Sequence, residues 1–168
     1  VGMEEDMDKI RERAERMGVT GKLLTDEDMK PLDKKIKKGD IVGLHMVNLP
    51  HYPITMWGAW KAGAVVMGVS PLMKDRDLKH QLKDSGCKAI VSAEMYVKMV
   101  NALKAETKLE HVISAGLSDF PEGPLPKPKE IPGAIHFIKL ITEHKPSPPS
   151  IQVDLKTTPA FLQYTGGT

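Results

Sequence analysis

Four short apolar runs, separated by stretches of helical character, restrict the fold of this chain more than any other feature. Ile41-Val42-Gly43-Leu44-His45-Met46 follows the turn signal Gly39-Asp40, and residues 64–69, 88–92 and 111–114 repeat the pattern. Runs that are apolar at every position belong to strands covered on both faces. Between them, residues 50–62, 75–84 and 93–103 read as helices. Pro53 fits a first turn, Leu78 and Leu82 share one face, and Gly63 and Gly86 stand just past helix ends. The alternation predicts an α/β fold: a mainly parallel sheet with helices on both faces and right-handed crossovers. No G-x-G-x-x-G follows the first strand, since Gly39 and Gly43 lie before and inside it. That argues against a dinucleotide-binding domain of the type that fingerprint marks.

The flanks are less regular. Met3, Met7, Ile10, Ala14 and Met17 recur at helical spacing and predict an amphipathic helix ended by Gly18. Residues 118–133 are rich in proline and glycine and read as a surface loop. Residues 134–144 read as a helix with Phe137, Leu140 and Ile141 on one face. The expected organisation is a divergent helical segment at 1–35, an α/β subdomain at 36–144, a proline-rich linker at 145–158, and a strand with a glycine loop at 159–168.

Composition removes several function classes. With Lys+Arg 24 against Asp+Glu 22, the net charge of +2 supplies no strong field, and 5% aromatic residues offer few stacking platforms. A nucleic-acid partner is disfavoured. No segment approaches the length of a transmembrane helix, and one cysteine cannot form an internal disulfide, so a cytoplasmic setting is expected. Cys87 reads as a small buried apolar residue. The six histidines show no metal-ligand spacing and read as ordinary surface or strand residues, so no metal site is predicted. Asp75 and Asp77 open a helix, where carboxylates favour the dipole, rather than forming a catalytic pair. Lys61, at a helix end, reads in the same structural way.

The C-terminal residues Tyr164-Thr165-Gly166-Gly167-Thr168 carry the one candidate binding motif. Paired glycines between threonines let several backbone N–H groups converge on one point, with hydroxyls at the rim, which suits a phosphate oxygen. Residues 159–164 read as the strand delivering that loop. As a bare tetrapeptide the motif marks an ordinary turn more often than a phosphate site. Its context adds the weight.

Four blocks in order resemble the N-terminal region of AMP-forming acyl-CoA ligases, the adenylate-forming superfamily. They are residues 36–52 (with Lys38-Gly39-Asp40 and Asn48-Leu49-Pro50), residues 60–72 (Lys61-Ala62-Gly63-Ala64, then Ser70-Pro71), residues 76–88 (Arg76-Asp77-Leu78 through Asp84-Ser85-Gly86), and residues 162–168. The last is similar to the opening of the family's phosphate loop, and Gly166 leans toward fatty-acid–CoA ligases. The resemblance implies the N-terminal domain of the adenylate-forming fold. It also implies a two-step reaction, in which a fatty-acid carboxylate attacks ATP to give an acyl-adenylate and coenzyme A then displaces AMP. ATP, Mg²⁺ and coenzyme A are the implied cofactors, with Thr165, Gly166, Gly167 and Thr168 as the implied contacts to the ATP phosphates. No catalytic residue carries over to this segment. Departures include Ser70 for the commoner asparagine, Met73 for tyrosine, and the lack of the usual aromatic opening before residue 36.

Because the chain stops within the implied loop, the expectation is that these 168 residues alone are not catalytic and hold nucleotide poorly. The competing reading is a non-catalytic assembly module derived from such a ligase. The stripe at 3–17 and an open sheet edge at 161–164 would drive it to a homodimer or larger. A third reading, a small nucleotide-binding regulator, needs measurable ATP affinity.

Overall fold

The computed structural model describes residues 36–143, 150–154 and 156–165. Residues 1–35, which include the expected amphipathic helix, residues 144–149, residue 155 and loop residues 166–168 lie outside the described residues. The expected α/β architecture is present. The strands are β1 (Ile41–His45), β2 (Val65–Val69), β3 (Ala89–Ala93), β4 (His111–Ala115), β5 (Ile135–His136) and β6 (Phe161–Gln163). Among the described residues they form one six-stranded sheet in the order β5-β4-β3-β1-β2-β6, with every neighbouring pair parallel.

The helices are α1 (His51–Lys61), α2 (Asp75–Ser85), α3 (Val97–Ala102) and α4 (Phe137–Glu143). Ala59 of α1 and Phe137 of α4 pack with Val42, Leu44, Val66, Ala89, Val91 and Ile113 on one sheet face. Leu78 and Leu82 of α2 and Val97 and Val100 of α3 pack with Met67, Val69, Ile90 and Val112 on the other. Double coverage explains why the strand runs are apolar at both alternating positions. Cys87 is fully buried in the second layer, and burial pushes its thiol up to about 12, so it serves as an apolar filler.

Local signals place the helix ends. Asp75 and Asp77 lie in the first turn of α2, and Gly86 ends it in the left-handed conformation (φ 66°), which caps the last carbonyls. Lys61 sits in the last turn of α1. Two expectations are corrected. Residues 134–144 are not all helical: Ile135 and His136 first form β5, paired parallel beside β4, then Phe137 turns into α4. A two-residue strand is too short for a period to register. The stretch after β3 begins with a 3₁₀ turn (Glu94–Tyr96) before α3.

Gly63 has a conformation that only glycine holds without strain. Its φ is +72°, and an added Cβ would lie 3.0 Å from Ile151 Cγ2 and 3.2 Å from Lys38 Cβ. The turn between α1 and β2 is therefore the seat on which the segment leading to β6 rests, helped by Lys38 Nζ donating to Gln152 O at 2.7 Å. Gly63→Ala should destabilise the protein by about 1–3 kcal/mol in urea unfolding. A change within about 0.5 kcal/mol, the ordinary surface range, would show that the seat is not tight.

Candidate functional site at the carboxyl edge of the sheet

With every described pairing parallel, one edge of the sheet collects the carboxyl ends of its strands, the usual place for ligands in open α/β sheets. β6 points its last residues there. Its foot is fixed by Trp60 Nε1 donating to Ala160 O at 2.7 Å and by Val66 N donating to the same carbonyl at 3.1 Å. Gly68 lets it approach β2 closely, since a Cβ there would lie 3.1 Å from Gln163 Oε1. Beyond the strand, Tyr164 Oη donates to Asp84 Oδ2 on α2 at 2.5 Å. Burial first, and then the Asp84 carboxylate, push the Tyr164 phenol up to about 12, so it stays a neutral donor at physiological pH. Thr165 follows, exposed at the edge. Of the four implied phosphate contacts, Thr165 lies at the predicted end of the predicted strand. Gly166, Gly167 and Thr168 lie outside the described residues.

The strand ends also carry a row of buried polar residues. His45, Ser92, Ser114 and His136 are mutual register partners across β1, β3, β4 and β5, and all are buried. His45 Nδ1 and Ser92 Oγ are hydrogen-bonded at 3.0 Å, and the Tyr96 ring lies 5.0 Å from the imidazole. Burial lowers the His45 pKa to about 4, so the ring is neutral at physiological pH. β1 and β3 flank the point where the crossovers reverse direction, so this pair occupies the topological switch point.

Beside the row, Asp119 joins three elements. Its Oδ2 accepts from Gly116 N at 2.8 Å and from His51 Nε2 at 3.0 Å, and its Oδ1 accepts from His136 Nε2 at 2.9 Å. Lys129 N donates to His136 Nδ1 at 3.0 Å, which fixes the tautomer that donates to Asp119. Burial works against the carboxylate, yet the Gly116 N–H and the two imidazoles outweigh it and hold Asp119 below its ordinary pKa. His51 is lowered chiefly by burial, against the opposing pull of Asp119. Its ring stands edge-on to Phe120 and Phe137 at 4.8 and 4.6 Å. Such a cluster, sealed from solvent, holds loops rather than performing proton transfer on a substrate. Sequence reading treated these histidines as ordinary strand or surface residues. Asp119 lies 68 residues from His51 and 17 from His136, so no spacing rule could join them.

Among the described residues no His, Cys, Asp and Glu side chains are grouped to hold a metal ion. A groove of about 580 Å³, lined in part by Lys129, Ile131, His136 and Lys139, lies along β5. It is at the opposite edge of the sheet from Thr165.

The profile of a family described as AMP-binding enzyme matches residues 32–168. The chain belongs to this family. Among curated relatives, it is 35% identical over 147 residues to a long-chain-fatty-acid–CoA ligase of Yersinia pestis, covering 79% of this chain and 26% of that protein. It is 26% identical over 160 residues to 4-coumarate–CoA ligase 2 of Petroselinum crispum, covering 90% and 27%. The chain thus spans about a quarter of the length of the curated relatives it matches. The solved long-chain-fatty-acid-CoA ligase of Archaeoglobus fulgidus has a TM-score of 0.64 at 22% identity, over 80% of this chain and 24% of that one. The apo structure of Mycobacterium smegmatis MbtA has a TM-score of 0.65 at 22% identity, over 79% and 23%. At that identity the structural likeness establishes the fold.

Two measurements check the electrostatics. Because the folded pKa of His45 lies below its unfolded value, acid favours the unfolded chain. The stability present above pH 6.5 should fall as pH drops toward 4, with about 3 kcal/mol of that loss due to His45. His51 acts in the same direction, and Asp119 adds a further loss as pH falls below its unfolded value of 3.8. His45→Asn should flatten the limb between 6.5 and 4; an unchanged profile would contradict the assignment. Asp119→Ala, which strands two buried imidazole donors and the Gly116 N–H, should cost about 3–5 kcal/mol in the same unfolding assay.

Proposed function

We propose that this chain forms part of the N-terminal region of a fatty-acid–CoA ligase, with β6 presenting residues 165–168 to the phosphates of ATP. The observation that carries the reading is the place of Thr165, exposed at the carboxyl end of a strand that three contacts (Trp60, Val66 and Tyr164) fix to the body of the fold. The matched curated ligases of 35% identity support fatty acid and coenzyme A as the substrates. In that reading ATP, with Mg²⁺, supplies an activated phosphorus for the fatty-acid carboxylate. The chain's own part is to hold the phosphates. Thr165 is exposed at the edge, and a hydroxyl there suits a phosphate oxygen. The described residues offer no comparable fit for Mg²⁺, so no protein ligand is assigned to it.

The 168-residue chain by itself is proposed not to complete the reaction. It corresponds to about a quarter of the matched ligases, and its described buried polar clusters tie strands and loops together. Incubated with a fatty acid, ATP, Mg²⁺ and labelled pyrophosphate, it should show no ATP–pyrophosphate exchange; measurable exchange would refute this. In an NMR titration ATP should perturb the amides of residues 164–168 weakly, with millimolar affinity. Shifts that leave those amides untouched, or that cluster along β5, would remove the phosphate assignment.

A second reading, self-assembly, is favoured by the sheet itself. β6 pairs with β2, so it does not lack a strand partner as expected for an isolated segment, but its outer edge is unpaired among the described residues.

A further inference from the structure

Two side-chain hydrogen bonds converge on the peptide unit between β6 and the glycine loop. Gln163 Nε2 donates to Tyr164 O at 3.1 Å, and Tyr164 Oη donates to Asp84 Oδ2 on α2. The peptide group is planar, and among the described residues no peptide bond is cis. Tyr164 O and the Thr165 N–H therefore point in opposite directions from one rigid plate, so whatever holds the carbonyl aims the N–H. The Gln163 carboxamide is itself seated. Gly68, its register partner on β2, leaves the space for it, since an added Cβ would lie 3.1 Å from Gln163 Oε1. Gly68 O in turn accepts from Gln81 Nε2 of α2 at 3.1 Å. Gln81 and Asp84 stand three residues apart, on one face of that helix. α2 thus grips the end of β2 with one side chain and the residue after β6 with its neighbour. Nothing within α2 explains Asp84, which lies in the last turn, where a carboxylate meets the negative end of the helix dipole. Its bond to Tyr164 does.

We infer that Gln163, Tyr164 and Asp84 are positioning residues that fix the direction of the Thr165 N–H before any ligand arrives, preorganising it for an anionic oxygen. That the oxygen belongs to an ATP phosphate rests on the ligase reading above; the clamp does not. A donor already aimed loses less freedom on binding than one that must first turn. Gln163 acts through the Tyr164 carbonyl and Asp84 through its phenol. The Trp60 and Val66 bonds to Ala160 lie at the foot of β6, so they secure the strand without setting this plane.

The test uses the 168-residue chain and NMR relaxation. The order parameter of the Thr165 N–H reads the clamp, and hydrogen exchange at the Val66 amide, bonded to Ala160 O, reports whether β6 stays docked. Gln163→Met keeps the length, removes the donor and adds no charge; Asp84→Ala removes the acceptor; Asp84→Asn retains an acceptor oxygen. The first two should lower the Thr165 order parameter from the rigid range of about 0.85 to below about 0.6, with Val66 protection unchanged. Asp84→Asn should restore it. In the same samples the slope of the Thr165 amide shift against ATP concentration should fall about 3–10-fold, the range of one lost hydrogen bond. Removing the Asp84 charge alone would favour ATP, so weaker binding in Asp84→Ala isolates the positioning effect. A Thr165 order parameter unmoved by Gln163→Met and Asp84→Ala would overturn the clamp, whether or not ATP binds. So would loss of Val66 protection in both variants, which would mean that these side chains merely dock the strand. An ATP slope indifferent to a disordered Thr165 would overturn the preorganisation. A parent Thr165 amide silent to ATP, with the order parameters behaving as expected, would remove the phosphate reading and uphold the clamp.

Discussion

A parallel sheet covered on both faces has little room for chemistry except at the ends of its strands, and that constraint organises this molecule. The strand interiors are given over to Val, Ile, Leu, Ala and Met packed between α1 and α4 on one side and α2 and α3 on the other. The buried polar side chains of the strands come together, at one level, in the His45–Ser92–Ser114–His136 row. Immediately beyond it come the Asp119 cluster and Thr165. Burial of the row is tolerable because its neighbours supply partners for His45, Ser92 and His136 and because His45 remains neutral.

The two sheet edges differ in what they offer. At β5 a two-residue strand and a long proline-rich approach leave a groove, and Asp119 fixes the neighbouring loops through three hydrogen bonds. At β6 the indole of Trp60 and the phenol of Tyr164 fix the strand from below and from the side. α1 links these ends: His51, its first residue, reaches Asp119, and Trp60, near its last turn, reaches Ala160. The helix therefore braces both margins of the sheet while packing on its centre.

Much of this was legible in the residue order. Runs such as 41–46 and 64–69 announce doubly covered strands because sheet burial requires apolar side chains at both parities. Gly86 announces a helix end because its left-handed φ excludes other residues cheaply. The four family blocks likewise pointed to the fold and to the family that the comparisons show. What stayed hidden is long-range and polar. Nothing local tells His51 and His136 that they share one carboxylate, and a two-residue strand has no period to read.

The pairing of β6 with β2 also has a kinetic side. Val66 and Phe161, which sit side by side, are separated by 161 − 66 = 95 residues of chain, whereas β1–β2 and β3–β4 join strands about two dozen residues apart. Closing the longer loop forfeits more chain entropy before any contact repays it. The body of the sheet can therefore assemble around β1 and β3 first, with β6 added to a finished template. The strand that leads to Thr165 is then the last to be secured during folding, and its indole and phenol tethers are what keep it from being the first to leave.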